Sequence, residues 1–330
     1  MRELKKQLQQ KIISPCYLFY GTEVYLKTRY TDLLKKVLLE PSAETMNMDI
    51  FEGNKQAVSA ILDSAETLPF FSDKRFIVVK ESGLFQTGRK NDSEKMADYL
   101  KKIPDTTCIL FLETEIDKRG KIYKSVAKNG YVAEMNGLSE KELLYWITRE
   151  CKKNKFQIET KVAAYLLRIV GGEMIHLEAE IKKLSGFLPE NAQVTTYDID
   201  IICTKSLETK IFDLVNAVAN GKPKEAITIY RNLLLMKESP LMVLAMIIRQ
   251  FRMILQCKIL SEQGESQIAQ KIGLRDFMVK EYLKQAKYFS VNELKQSLEY
   301  CLQTDVDIKT GKQNSELAIE LLILKYGKEQ

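Results

Sequence analysis

The chain has a single histidine and a single tryptophan among 330 residues. With only His176 available, a Ser–His–Asp or Cys–His triad would have to be built on that one residue, and a histidine-rich metal site is excluded. His176 lies in GGEMIHLEAEIKKL, where Leu177, Ile181 and Leu184 supply the apolar stripe of a helix. It therefore reads as an ordinary helix residue, on the surface or in packing. Six cysteines (Cys16, Cys108, Cys151, Cys203, Cys257 and Cys301) are scattered with no CxxC and no short-spaced pair. That spacing argues against a cysteine-built zinc site and for a reduced, cytoplasmic compartment. Only 15 glycines and 7 prolines occur, too few for a collagenous or low-complexity chain. The longest apolar run, Leu241 to Ile248, stops at Arg249, well short of the ~20 residues that cross a bilayer. The N-terminal MRELKKQLQQKII is charged and amphipathic, without the apolar block of a signal peptide, so no membrane partner is expected. Fifty basic residues against 44 acidic ones leave a net charge of +6 with no polybasic arm. Local contact with nucleic acid stays open, but bulk electrostatics would not hold DNA.

What is present is 45% hydrophobic and 28% charged residues, the composition of a helix-rich globular protein. The length exceeds that of one ~150-residue domain, so two or three are expected. Short β-rich runs fall at Cys16–Tyr20, Met46–Phe51, Arg75–Val79, Thr107–Leu112 and Tyr131–Met135. Between them helical spacing predicts helices over Glu23–Leu39, Lys55–Glu66, Ser93–Lys102 and Lys118–Lys128. FIVV and CILFL are apolar without alternation, as strands covered on both faces are. This alternation implies a parallel sheet of about five strands flanked by helices on both sides. From Ser139-Glu140-Lys141-Glu142, a capped helix start, the chain turns almost wholly helical. The layout is an α/β domain over residues 1–138, a small helical domain with three helical segments over 139–208, and a larger helical domain over 209–330. Pro240, ahead of LMVLAMII, suits a first helical turn.

After the first strand, Gly21 to Thr28 (GTEVYLKT) fits the phosphate-loop template G-x-x-x-x-G-K-S/T except at one position, where Leu26 stands for the second glycine. That glycine lets successive N–H groups curl toward phosphates, and a branched residue obstructs the loop. Lys27 and Thr28 are accordingly expected in a first helical turn and not on nucleotide and magnesium. The apolar strand CILFL ends in Glu113-Thr114-Glu115, where a P-loop enzyme places its magnesium-holding acid. Without a working loop these read as ordinary strand-end carboxylates. In this order the two motifs suggest a nucleotide-binding fold that has lost its nucleotide. No catalytic residue, metal site or cofactor is expected.

The segment Leu68-Pro69-Phe70-Phe71-Ser72-Asp73 puts three large apolar residues around a proline in a short connection. Either Phe70 and Phe71 fold back onto the sheet, or the stiffened segment projects them as a hydrophobic plug for a partner's pocket.

Taken with YLFYGTEVYL (17–26), LPFFSDKRFIVVK (68–80), GGEMIHLEAEIKKL (171–184), IFDLVNAVANGKPKEA (211–226), IIRQFRMILQCKIL (247–260) and DVDIKTGKQNSELAIELLILKY (305–326), the chain resembles the delta subunits of bacterial DNA polymerase III clamp loaders from end to end. Ala179 departs from the expected asparagine, which bears on packing more than on function. The resemblance implies an AAA+-type, P-loop-NTPase-like α/β domain, a helical lid domain, and a collar domain over 209–330 that joins gamma/tau-type and delta-prime-type subunits. It implies no ATP hydrolysis by this subunit. It also implies that Leu68, Pro69, Phe70 and Phe71 bind the beta sliding clamp and open one ring interface, for loading onto primed DNA. An active AAA+ ATPase would need nucleotide binding. A delta-prime-type stator would need a zinc cysteine cluster and an SRC tripeptide, neither of which is in the sequence. A generic helical scaffold would leave the α/β half unexplained.

Overall fold

The computed structural model describes residues 2–10 and 12–326 and divides the chain into two compact units, Met1–Gly137 and Leu138–Gln330. In the first unit, strands β1 (Cys16–Tyr20), β2 (Met48–Glu52), β3 (Arg75–Lys80), β4 (Thr107–Glu113) and β5 (Tyr131–Glu134) form one sheet in the order β2-β3-β4-β1-β5. Every pairing is parallel, with Leu18 opposite Phe111 on one side and Val132 on the other. The apolar runs of β1 and β4 are buried at every position but Leu112, which is half-buried, and this is why they lack alternation.

Period-two geometry divides each strand between two cores. Cys16, Leu18, Ile77, Val79, Ile109 and Phe111 face helices α4 (Val58–Glu66), α5 (Lys90–Tyr99) and α6 (Lys121–Asn129). On the other face Phe19 meets Tyr30 of α2 (Val24–Leu38), ring centroids 6.4 Å apart, and α1 (Arg2–Gln9) packs against α2. A short helix, α3 (Glu44–Asn47), leads into β2.

The second unit opens on α7 (Glu140–Lys153), where the Ser139 hydroxyl accepts from the Glu142 N–H and the Glu142 carboxylate accepts from the Ser139 N–H. This is the capped start expected there. Four helices, not three, occupy the next stretch: α7, α8 (Thr160–Val170), α9 (Met174–Phe187) and α10 (Thr196–Ile202). They are joined by a two-residue parallel pair, β6 (Gln157–Ile158) with β7 (Gln193–Val194), too short to leave a periodic signal. His176 is on the exposed face of α9, near Glu173 at 3.4 Å. Ala179 is exposed there too, so its departure from asparagine touches no packing in this structure.

Seven helices follow: α11 (Leu207–Ala219), α12 (Pro223–Leu235), α13 (Pro240–Ile259), α14 (Glu265–Ile272), α15 (Asp276–Ala286), α16 (Val291–Lys309) and α17 (Ser315–Tyr326). Pro223 and Pro240 each occupy a first helical turn, where the missing N–H costs nothing. By length and composition α13 is the one described helix apolar enough to cross a membrane. Its Val243, Leu244, Ile247, Phe251 and Ile254 instead form the centre of the bundle, against Leu214, Tyr230, Leu294 and Ile323.

Candidate functional site

In the first sheet, the connection leaving β1 runs toward β2 and the one leaving β4 crosses to β5. Because α2 and α6 lie on opposite faces of the sheet, these adjacent strands open a crevice at their carboxyl ends, where α/β folds bind ligands. Gly21 to Thr28 and Glu113 meet at that crevice. The chain fills it with its own groups.

Helix α2 starts at Val24, so Val24, Tyr25 and Leu26, which a phosphate loop would wrap around its ligand, are wound into the first helical turn. Leu26 is buried, and Thr28 is exposed on the helix. Four of the backbone N–H groups along this segment are already engaged. Gly21 donates to Glu113 O at 3.1 Å and Glu23 to Met135 O at 2.8 Å. Thr22 donates to Asn136 Oδ1 at 3.2 Å, and Tyr25 to the Glu23 carboxylate at 3.2 Å. The anion at this helix N-terminus is therefore the protein's own. Gly21 has φ +123°, and a Cβ there would lie 2.5 Å from Met135 O, so glycine is required by the close passage of the β5 end. Lys27 is buried, with Nζ donating to Glu113 O at 3.2 Å and 3.9 Å from the Glu81 carboxylate.

Glu113 departs from the ordinary strand-end carboxylate expected. Its side chain is fully buried, and Oε1 accepts from Ser82 N–H at 3.0 Å and Ser82 Oγ at 2.6 Å. Oε2 has no hydrogen-bond partner. Burial pushes its pKa from 4.5 to about 7, against the smaller opposing pull of the two Ser82 bonds. The neutral acid is thus favoured in the fold, and the contribution of Glu113 to stability is greatest below pH 4.5, declines as pH rises toward 7, and is flat above. Glu113→Gln, which fixes the neutral form, should stabilise the protein by about 3 kcal/mol at pH 8 and by little at pH 4.5. Denaturant melts at the two pH values check this; equal gains at both would refute the assignment.

The second candidate surface lies between α4 and β3. Thr67 ends α4, and the chain crosses to Arg75 with Leu68 76%, Phe70 51% and Phe71 87% exposed. The two rings meet edge to face with centroids 4.5 Å apart, and Phe71 adopts φ +45°. Of the two arrangements open from sequence, the rings lie outside the sheet's core. Met46 of α3, next to Asn47 in the chain, is also exposed, at 59%. Sequence reasoning passed over Asn47, which is fully buried and hydrogen-bonded to the Phe70 backbone. Its only sequence signal was a polar residue within the β-rich run Met46–Phe51, whose first two residues the structure places in α3.

Residues 17–136 match the family described as DNA polymerase III, delta subunit, and residues 208–326 match the C-terminal domain of the same subunit. The DNA polymerase III subunit delta of Bacillus subtilis is 30% identical over 97% of this chain and 95% of its own length. The chain belongs to the DNA polymerase III delta-subunit family. A more distant relative, the probable DNA polymerase III subunit delta of Aquifex aeolicus, is 20% identical over 84% of this chain and 80% of its own. Among solved structures, the Bacillus subtilis DNA clamp loader delta protein superposes with a TM-score of 0.77, at 28% identity and 99% coverage of both chains. As a delta-family member the chain is a component of a polymerase complex, and its parallel sheet followed by helices is the fold expected from sequence. The filled crevice, Asn47 and the Phe70–Phe71 loop all fall inside the first family match.

Proposed function

We propose that this chain is the clamp-loader subunit that grips the ring-shaped beta sliding clamp through Leu68, Pro69, Phe70 and Phe71 and holds one ring interface open. Other subunits supply the ATP-driven steps. The observation that carries this reading is the exposed aromatic pair, held outside the core of the domain whose nucleotide crevice is filled by Lys27, Glu23 and Gly21. An apolar patch on a stiffened turn is the anatomy of an interface hot spot.

In this reading residues 1–138 bind the clamp, 139–208 form the lid-type domain, and 209–330 join gamma/tau-type and delta-prime-type subunits around primed DNA in the cytoplasm. Leu317, Leu321 and Leu324, half-exposed along α17, support an apolar association face in the last of these. The subunit has no ATPase of its own. The deciding test is capture of the purified full chain on immobilised sliding clamp from the same organism, without nucleotide. Saturable binding unaffected by ATP is expected; absence of binding, or binding that requires ATP, would overturn the proposal.

A further inference from the structure

Asn47, the last residue of α3, spends both its donors and one acceptor position on the backbones of two residues. Nδ2 donates to Ala43 O at 3.0 Å and to Phe70 O at 2.8 Å, while Oδ1 accepts from Phe70 N–H at 2.6 Å. The amide thus grips both polar groups of Phe70, as a neighbouring strand would, 23 residues away in the chain. The next residue, Phe71, has φ +45°, a left-handed conformation that a phenylalanine seldom holds without outside support. The base of the grip is itself braced. Arg75 donates to the Asp49 carboxylate and, at 3.3 Å, to Met46 O, and Ser64 Oγ donates to Asp49 at 2.5 Å.

We propose that Asn47 is a positioning residue for the clamp-binding loop, holding Phe70 so that its ring and that of Phe71 are presented in one binding-ready arrangement. The inference rests on the clamp reading above. Releasing the loop lowers the fraction of molecules in the competent arrangement, and apparent affinity falls by that fraction. The loss appears in the association rate, because the contacts made once bound are unchanged.

Two full-length variants test this. Asn47→Ala removes every bond; Asn47→Ser keeps a donor for Ala43 O, one helical turn back, but is too short to reach Phe70. Melting temperature, amide exchange at Phe70, and association and dissociation rates on the sliding clamp are measured, with Phe70→Ala/Phe71→Ala as reference. Both variants should stay folded, exchange the Phe70 amide faster, and bind about ten- to a hundredfold more weakly, with the loss in association. Wild-type affinity, unchanged Phe70 protection, or loss of protection throughout the sheet in both variants would each overturn the proposal. If the double phenylalanine variant fails to bind while both Asn47 variants bind normally, the clamp reading stands and the role of Asn47 falls. If the double variant binds like wild type, both fall.

Discussion

Phe70→Ala combined with Phe71→Ala should weaken clamp binding by two to three orders of magnitude and leave the fold intact. Burying an exposed phenylalanine contributes about 1.5–3 kcal/mol, and Phe70, already half covered, has less left to gain than Phe71. Together the two rings supply roughly 3–5 kcal/mol, at about 1.4 kcal/mol per tenfold in Kd. Stability should respond little, since substitutions at exposed positions usually fall within about 0.5 kcal/mol, with a further ~1 kcal/mol for the lost edge-to-face pair. Had the rings packed in the core, the same change would cost about 6–10 kcal/mol and unfold the domain. Phe71→Gly sharpens the contrast. Glycine suits φ +45° better than phenylalanine does, so this variant should melt at or above the wild-type temperature while losing affinity. Leu68→Ala should show a smaller binding defect. Melting curves and clamp affinity on the same samples decide; normal melting with wild-type affinity would place the clamp contact elsewhere.

The sheet was legible because burial on both faces leaves an unmistakable mark: CYLFY, FIVVK and CILFL are apolar at every step or nearly so. The starts of α7 and α13 were legible because Ser139 with Glu142, and Pro240, are chemically suited to helix N-termini. Where the signal was local sequence alone, edges moved. Helix α6 starts at Lys121 and not Lys118, because Asp117 and Arg119 pair in a turn ahead of Gly120. The features that shape the candidate sites were hidden for a different reason: each is made by contact between distant segments. Nothing in LETE shows that the Ser82 turn folds over Glu113 and drives its carboxyl toward neutrality. Nothing in TMNMD shows that Asn47 reaches Phe70. A lone polar residue in a β-rich run has many uses, and only the fold selects one.

The same distinction governs the phosphate loop, and Leu26→Gly puts it to the test. On sequence alone this substitution completes the template, and nucleotide affinity should appear. The structure argues the reverse. Leu26 is buried in the first turn of α2, so glycine there removes a packed side chain and loosens the helix, at a combined cost of about 3–5 kcal/mol. Four backbone donors of the segment stay engaged: Gly21 with Glu113 O, Thr22 with Asn136, Glu23 with Met135 O, and Tyr25 with the Glu23 carboxylate. An incoming polyphosphate would have to break these bonds and lie against that carboxylate at the helix N-terminus, a repulsion one glycine does not relieve. Lys27, tied to the Glu113 carbonyl, would have to leave its buried position as well. Leu26→Gly should therefore melt markedly lower than wild type and show no heat of binding with magnesium-ATP. Saturable micromolar affinity in this variant would mean that the missing glycine alone closed the site, and that the internal bonds give way to a phosphate.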